Sequence, residues 1–150
     1  MYPSQDLTQK IIAVAIEVHK NMGPGLLETV YLNCLCFEFT LRGLLFEKQL
    51  EVPLLYKDQT VGCSFRLDFL IENQVVVELK SVEKVLQVHE AQLLTYLKLS
   101  GKRVGLLINF NVPLLKEGIY RRILSADHAS NSRVIDYAEQ SRACRPPTGK

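Results

Sequence analysis

The chain has 150 residues, 47% hydrophobic and 23% charged, the composition of one ordinary globular domain around one core. Its 18 basic and 16 acidic residues leave a net charge of +2, which excludes a polycation. Any nucleic-acid surface therefore has to come from local clustering of Lys and Arg.

The N-terminus "MYPSQDLTQK" lacks the basic-then-apolar order of a signal peptide, and the apolar run "IIAVAI" is too short to span a bilayer, which points to a cytoplasmic protein. Leu7, Ile11, Val14, Ala15 and Val18 recur at helical spacing and predict a first helix from near Ser4 to Asn21. "MGPG" stops it, because Gly supplies a left-handed cap and Pro cannot continue the ladder. A second helix follows, with Leu27, Val30, Tyr31, Cys34, Leu35 and Leu41 on one stripe and Gly43 at its end.

The period then changes. "LLFEKQLEVPLLY" reads as an extended segment that Pro53 places at a sheet edge or bulge. "KDQ" is a turn, "TVGCSFRLDFLI" a strand, "ENQ" a second turn and "VVVELK" another strand. Helical period returns from about Gln87 to Leu99 and is closed by Gly101. "RVGLLINF" is a buried strand, and "NVPLLKEGIYRRIL" a short closing segment. From Ser125 the composition turns polar and ends in Pro-Pro-Thr-Gly-Lys, so one domain over residues 1–124 is followed by a mobile tail over 125–150. Helix, helix, three strands, helix, strand implies an α/β sandwich around a mixed sheet.

The four cysteines form no C-x-x-C pair and have no histidine at zinc-finger spacing. Cys34, Cys36 and Cys63 lie among apolar residues as small buried thiols, and Cys144 lies in the tail; this usage suits a reducing compartment. Cys34 and Cys36, two apart on a helix, point in divergent directions.

The stretch "FRLDFLIENQVVVELK" sets Asp68, Glu78 and Lys80 inside the most hydrophobic part of the chain. Alternation puts Glu78 and Lys80 on one strand face. If the "ENQ" hairpin turns symmetrically about Asn73, Ile71 pairs with Val75 and Asp68 lies opposite Glu78. Adjacent carboxylates repel, so one takes up a proton unless a cation intervenes. Mg²⁺ typically takes one or two carboxylates, waters and a substrate phosphate, and a lysine two residues on can contact phosphate or orient water. That is the equipment of metal-assisted phosphodiester hydrolysis. The same three residues also read as a structural ion pair with one spare acid.

Other motifs narrow the choice. "GLLETVY", Gly25 to Tyr31, fits the G-x-x-E-x-x-Y signature of the GxxExxY protein family, which belongs to the PD-(D/E)XK nuclease-like superfamily. "VVVELKSVEKV" and "VHEAQLLTYLKLSGKRVGLLINFNVP" resemble that family in the same order, so the resemblance covers about residues 5 to 124. It implies a restriction-endonuclease-like αβββαβ core with a mixed central sheet flanked by helices. By position, Asp68 is similar to the superfamily's strand acid, and Glu78 with Lys80 to its E-x-K. Glu28 resembles the acid that some branches contribute from an N-terminal helix, and Gln92 with Tyr96 the Q-x-x-x-Y motif of the RecB-like branch.

The implied activity is Mg²⁺- or Mn²⁺-dependent cleavage of nucleic acid, DNA in the first place. Asp68, Glu78 and the Leu79 carbonyl would hold metal, Lys80 would act on water, and Glu28 would support the metal shell. Gln92 and Tyr96 would line the substrate side. Arg66, two residues from Asp68 and read as sharing its strand face, heads the phosphate-binding candidates, with Lys84, Lys98, Lys102, Arg103, Lys116, Arg121 and Arg122 behind it. His89 reads as a solvated helix residue. The alternative is a catalytically inactive nuclease-fold module that binds nucleic acid or a protein partner; a third reading is a small domain that acts only within a homo-oligomer or a larger complex.

Overall fold

The computed structural model describes residues 2–125, so the expected tail beyond Ser125 lies outside the described residues. Two helices, α1 (Gln5–Met22) and α2 (Glu28–Leu41), precede strands β1 (Phe46–Tyr56), β2 (Gln59–Ile71) and β3 (Val75–Lys80). Helix α3 (Gln87–Ser100) and strand β4 (Val104–Asn109) follow. The segment expected only as a closing stretch adds a short 3-10 turn (Leu115–Gly118) and a fifth strand, β5 (Ile119–Ile123). The short alternation "IYRRI" carries too little apolar signal for periodicity to expose it; pairing to β4 makes it a strand.

The five strands lie in chain order, β1-β2-β3-β4-β5, with only β3 and β4 parallel. The mixed sheet is thus the expected α/β architecture, with α3 as the crossover between parallel strands. Pro53 sits in edge strand β1, where the β1–β2 register shifts between Pro53 and Leu55.

Two apolar layers flank the sheet. On one face Ile11, Val14, Leu35 and Phe39 of α1 and α2 meet Phe69, Val77, Leu79 and Ile108. On the other, Leu93 and Leu97 of α3 meet Val52, Leu67, Leu70, Val76 and Leu107. Gly105 lets α3 approach this closely: a Cβ there would sit 2.8 Å from Leu93 Cδ1.

The buried stripe of α2 is Tyr31, Leu32, Leu35 and Phe39, not the expected stripe that ran through Leu27 and Leu41, both of which are exposed. Both sides of this helix are apolar, so periodicity alone did not resolve which side meets the core. Cys34 and Cys36 are partly buried against the core as expected, whereas Cys63 is exposed, because the outer half of the β1–β2 ribbon extends beyond the layers that cover the sheet. Among the described residues, no helix is long and apolar enough to cross a membrane.

Candidate metal and nuclease-like site

The β2–β3 hairpin adopts the symmetric register, with Ile71 paired to Val75, Leu70 to Val76 and Phe69 to Val77. Glu72 and Asn73 both take positive φ in the turn, 50° and 55°. Beyond Phe69 and Val77 the backbone ladder gives way to side chains. Asp68 N donates to Glu78 Oε1 at 3.1 Å, and Leu79 N donates to Asp68 Oδ2 at 2.8 Å. Two carboxylates thereby take over hydrogen bonds that strand backbones would otherwise make to each other.

Asp68 can turn this way because β2 slips its alternation there. Phe65 and Leu67 pack in the α3 layer, while Phe69 and Ile71 pack in the α1–α2 layer. In β1 the matching change falls at Gln49, which has φ of 49° and lies between the Lys48–Phe69 and Leu50–Leu67 pairs. The ribbon therefore twists about Asp68, and its amide swings from β1 to the Glu78 side chain.

Glu78 shares the α3 side of the sheet with Val76 and is 8% exposed. Burial pushes its carboxyl up to about 9, and the neighbouring Asp68 carboxylate adds to that rise. The Asp68 amide and the charge of Lys80 pull the other way. The upward push outweighs these, so Glu78 favours its protonated form near neutral pH. In a strand, N–H and C=O of one residue point to the same neighbour, so the Leu79 carbonyl is directed toward β2 beside Asp68.

Tyr96 of α3 lies close enough to this pair to feel its charge, and Gln92 joins Tyr96. Gln92 Nε2 donates to Tyr96 Oη at 2.8 Å, and the Tyr96 ring stacks on Phe65 with centroids 4.6 Å apart. Burial, then the negative charge of Glu78 and Asp68, raises the Tyr96 hydroxyl above the ordinary phenol range. His89 caps α3: its Nδ1 accepts Leu86 N at 3.0 Å, and its own amide donates to Leu86 O.

Glu28 comes from the opposite layer. It is exposed at the start of α2 and lines a groove with Leu26, Leu27, Thr29 and Ser81. The Ser81 hydroxyl donates to Leu26 O at 2.6 Å and so ties this helix start to the residue after Lys80. Among the described residues, no three His, Cys, Asp or Glu side chains gather closely enough to share an ion, so the acids form a pair to which Glu28 is not joined. The tyrosine of "GLLETVY" has a structural task. Tyr31 Oη donates to Gly23 O at 2.6 Å and accepts Leu26 N at 3.1 Å, and its ring stacks on Phe110.

Arg66 is not on the Asp68 face. Since Phe65 and Leu67 point toward α3, Arg66 between them points away, and its guanidinium lies 3.7 Å from Glu51. The expectation assumed unbroken alternation, which the slip at Asp68 interrupts. Several other basic candidates are engaged within the fold. Lys102 Nζ donates to Asn73 Oδ1, Arg103 Nε to Leu124 O, Arg121 lies over the Tyr2 ring, and Arg122 pairs with Glu90.

Two residues near the site went unread in the sequence. Phe65 forms the aromatic wall behind Tyr96. Asn109, buried at the end of β4, accepts Val82 N and Asn111 N and donates to Val82 O, which fastens the segment after Lys80 to β4. Its only sequence signal is an amide that closes the apolar run "VGLLIN".

A mixed sheet between helical layers, with paired acids and a lysine where two strands part, defines a nuclease-like α/β domain. The sequence matches the family model of the PD-(D/E)XK nuclease superfamily over residues 5–123, and the chain belongs to that superfamily. The crystal structure of SSO0001 has a similar fold, with a TM-score of 0.50 and 17% identity, covering 96% of this chain and 70% of that one. No curated protein matches the sequence.

Proposed function

We propose that the chain is a metal-dependent nuclease that hydrolyses phosphodiester bonds in nucleic acid. The observation that carries this reading is the Asp68–Glu78 pair, set where β2 and β3 part, with Asp68 half-buried and Glu78 buried, each acid accepting a backbone amide of the facing strand. Hard carboxylate oxygens suit Mg²⁺ or Mn²⁺. Asp68 Oδ2 and Glu78 Oε1 are held by backbone amides, which leaves the second oxygen of each acid for an ion, with the Leu79 carbonyl beside them. A divalent ion supplies charge stabilisation at phosphate and an acidified water when bound.

The chain's own residues do the remainder. Lys80 positions or deprotonates the attacking water, and Asn109 steadies the backbone that follows it. Gln92 and Tyr96 line the substrate side, whereas Glu28, set apart in the groove at Ser81, takes no part in holding the ion. On this reading the protein is a GxxExxY family member of RecB-like kind that works on DNA in the cytoplasm.

The test is cleavage of plasmid and single-stranded DNA with Mg²⁺ or Mn²⁺ by wild type, Lys80→Ala and Glu78→Ala. Wild type is expected to cut and both variants to lose at least about a hundredfold in rate; equal cutting by all three would sink the assignment. One observation favours a second reading, an inactive nuclease-fold module: among the described residues the acids number two, without a third close by. Calorimetric titration decides, since absence of Mn²⁺ binding at millimolar concentration supports the module.

A further inference from the structure

We infer that the outer face of α2 is a self-association surface that takes a second copy of this chain. Between Glu28 and Arg42 the exposed positions of α2 are Thr29, Asn33, Phe37, Thr40 and Leu41, none of them charged. Helix α1, by contrast, turns Asp6, Lys10 and Lys20 to the exterior. Phe37 and Leu41 are each 65% exposed, and Leu27 and Leu45, also exposed, bracket the helix at its two ends. A helix apolar on both sides is ordinarily buried on both, and exposed large apolar side chains set among neutral polar ones, with the Glu38–Arg42 pair at the rim, mark an interaction surface.

The spacing identifies the occupant. The half-buried Val30 and Cys34, at the edge of the face, and the exposed Phe37 and Leu41 follow one another at intervals of four, three and four residues, a series that reads the same in reverse. Two such helices related by a two-fold axis and running antiparallel place Val30 against Leu41 of the second copy and Cys34 against its Phe37. Every apolar position then meets an apolar position, as an isologous interface requires. The Glu38–Arg42 pair borders the face, and the same antiparallel pairing sets Glu38 against Asn33 and Arg42 against Thr29 of the second copy, so the symmetry brings no like charges together.

A 14-residue helix is about 21 Å long, so the pair with its flanking leucines would bury on the order of 1,000 Å², the low end for a specific interface. The dimer is accordingly one of modest affinity. The carboxylate pair lies under α3 on the other face of the sheet, so association leaves it open.

Sedimentation equilibrium over roughly two decades of concentration tests the inference. The wild-type chain is expected to pass from monomer to dimer, and Phe37→Glu and Leu41→Lys each to weaken association at least about a hundredfold. Both sites are exposed, and an unchanged far-UV circular dichroism spectrum separates lost association from lost folding. A wild-type chain that stays monomeric throughout, whether the face is covered within the chain or by another protein, overturns the inference. So does a dimer that persists in both variants.

Discussion

Replacing Glu78 with glutamine isolates the cost of holding two acids between buried strands. In the wild-type chain the protonated Glu78 shares a hydrogen bond with Asp68, and its Oε1 accepts the Asp68 amide. A glutamine keeps both interactions, because its amide oxygen accepts and its NH₂ donates, but it has no proton to lose. The folded-state carboxyl titrates at about 9 against 4.5 for an ordinary Glu, so between those values the folded chain binds more protons than the unfolded one. Stability from the protonated acid is fully present below the unfolded value and is lost as pH rises through the window toward about 9.

Each pH unit inside the window removes about 1.4 kcal/mol, so between about pH 5.5 and about pH 8 the wild type loses roughly 3 kcal/mol through this group. Urea denaturation followed by circular dichroism in metal-free buffer measures it at each pH. The glutamine variant should lose about 3 kcal/mol less over the same range and be the more stable protein at the higher pH. Parallel pH profiles for the two chains would refute the reasoning, since Glu78 would then ionise as freely in the folded state as in the unfolded one.

Three further outcomes follow from named contacts. Tyr31→Phe removes a buried hydroxyl that serves Gly23 O and Leu26 N, and should cost about 1–3 kcal/mol in the same denaturation assay without altering Mn²⁺ affinity. Asn109→Ala strands both backbone groups of Val82 and the Asn111 amide; hydrogen exchange should show the segment from Ser81 to Leu86 losing protection, with stability reduced by about 2–4 kcal/mol. If the proposed metal site is right, Mn²⁺ binding at neutral pH displaces a proton from Glu78, so calorimetric enthalpies in two buffers of different ionisation enthalpy should differ by close to one proton's worth. Equal enthalpies would argue that the ion, if bound, sits elsewhere.

The hairpin and its acids were legible because short-range rules govern them. A three-residue loop with Asn73 suited to positive φ sets the pairing parity, and parity alone puts Asp68 across from Glu78. The helix boundaries were legible for a similar reason, since glycines and the change of period mark them locally. What periodicity missed depends on contacts between distant parts of the chain. Strand β5 exists because β4 offers it a partner, and the inward side of α2 is chosen by what packs against it. Arg66 was misplaced because alternation was carried through Asp68, where the twist of the β1–β2 ribbon breaks it.

That break also explains how charges come to lie in so apolar a hairpin. With unbroken alternation Asp68 would present its amide to β1, and its carboxylate would need another partner within the core. The positive φ at Gln49 releases Asp68 from β1 pairing, and the freed amide then satisfies Glu78 while Asp68 satisfies Leu79 N. Each acid is thus solvated by backbone that would otherwise have continued the ladder. The twist and the acids are one feature: removing either carboxylate leaves a buried amide without its partner, so loss of activity in Glu78→Ala must be read beside Glu78→Gln, which keeps the hydrogen bond and abolishes only the charge.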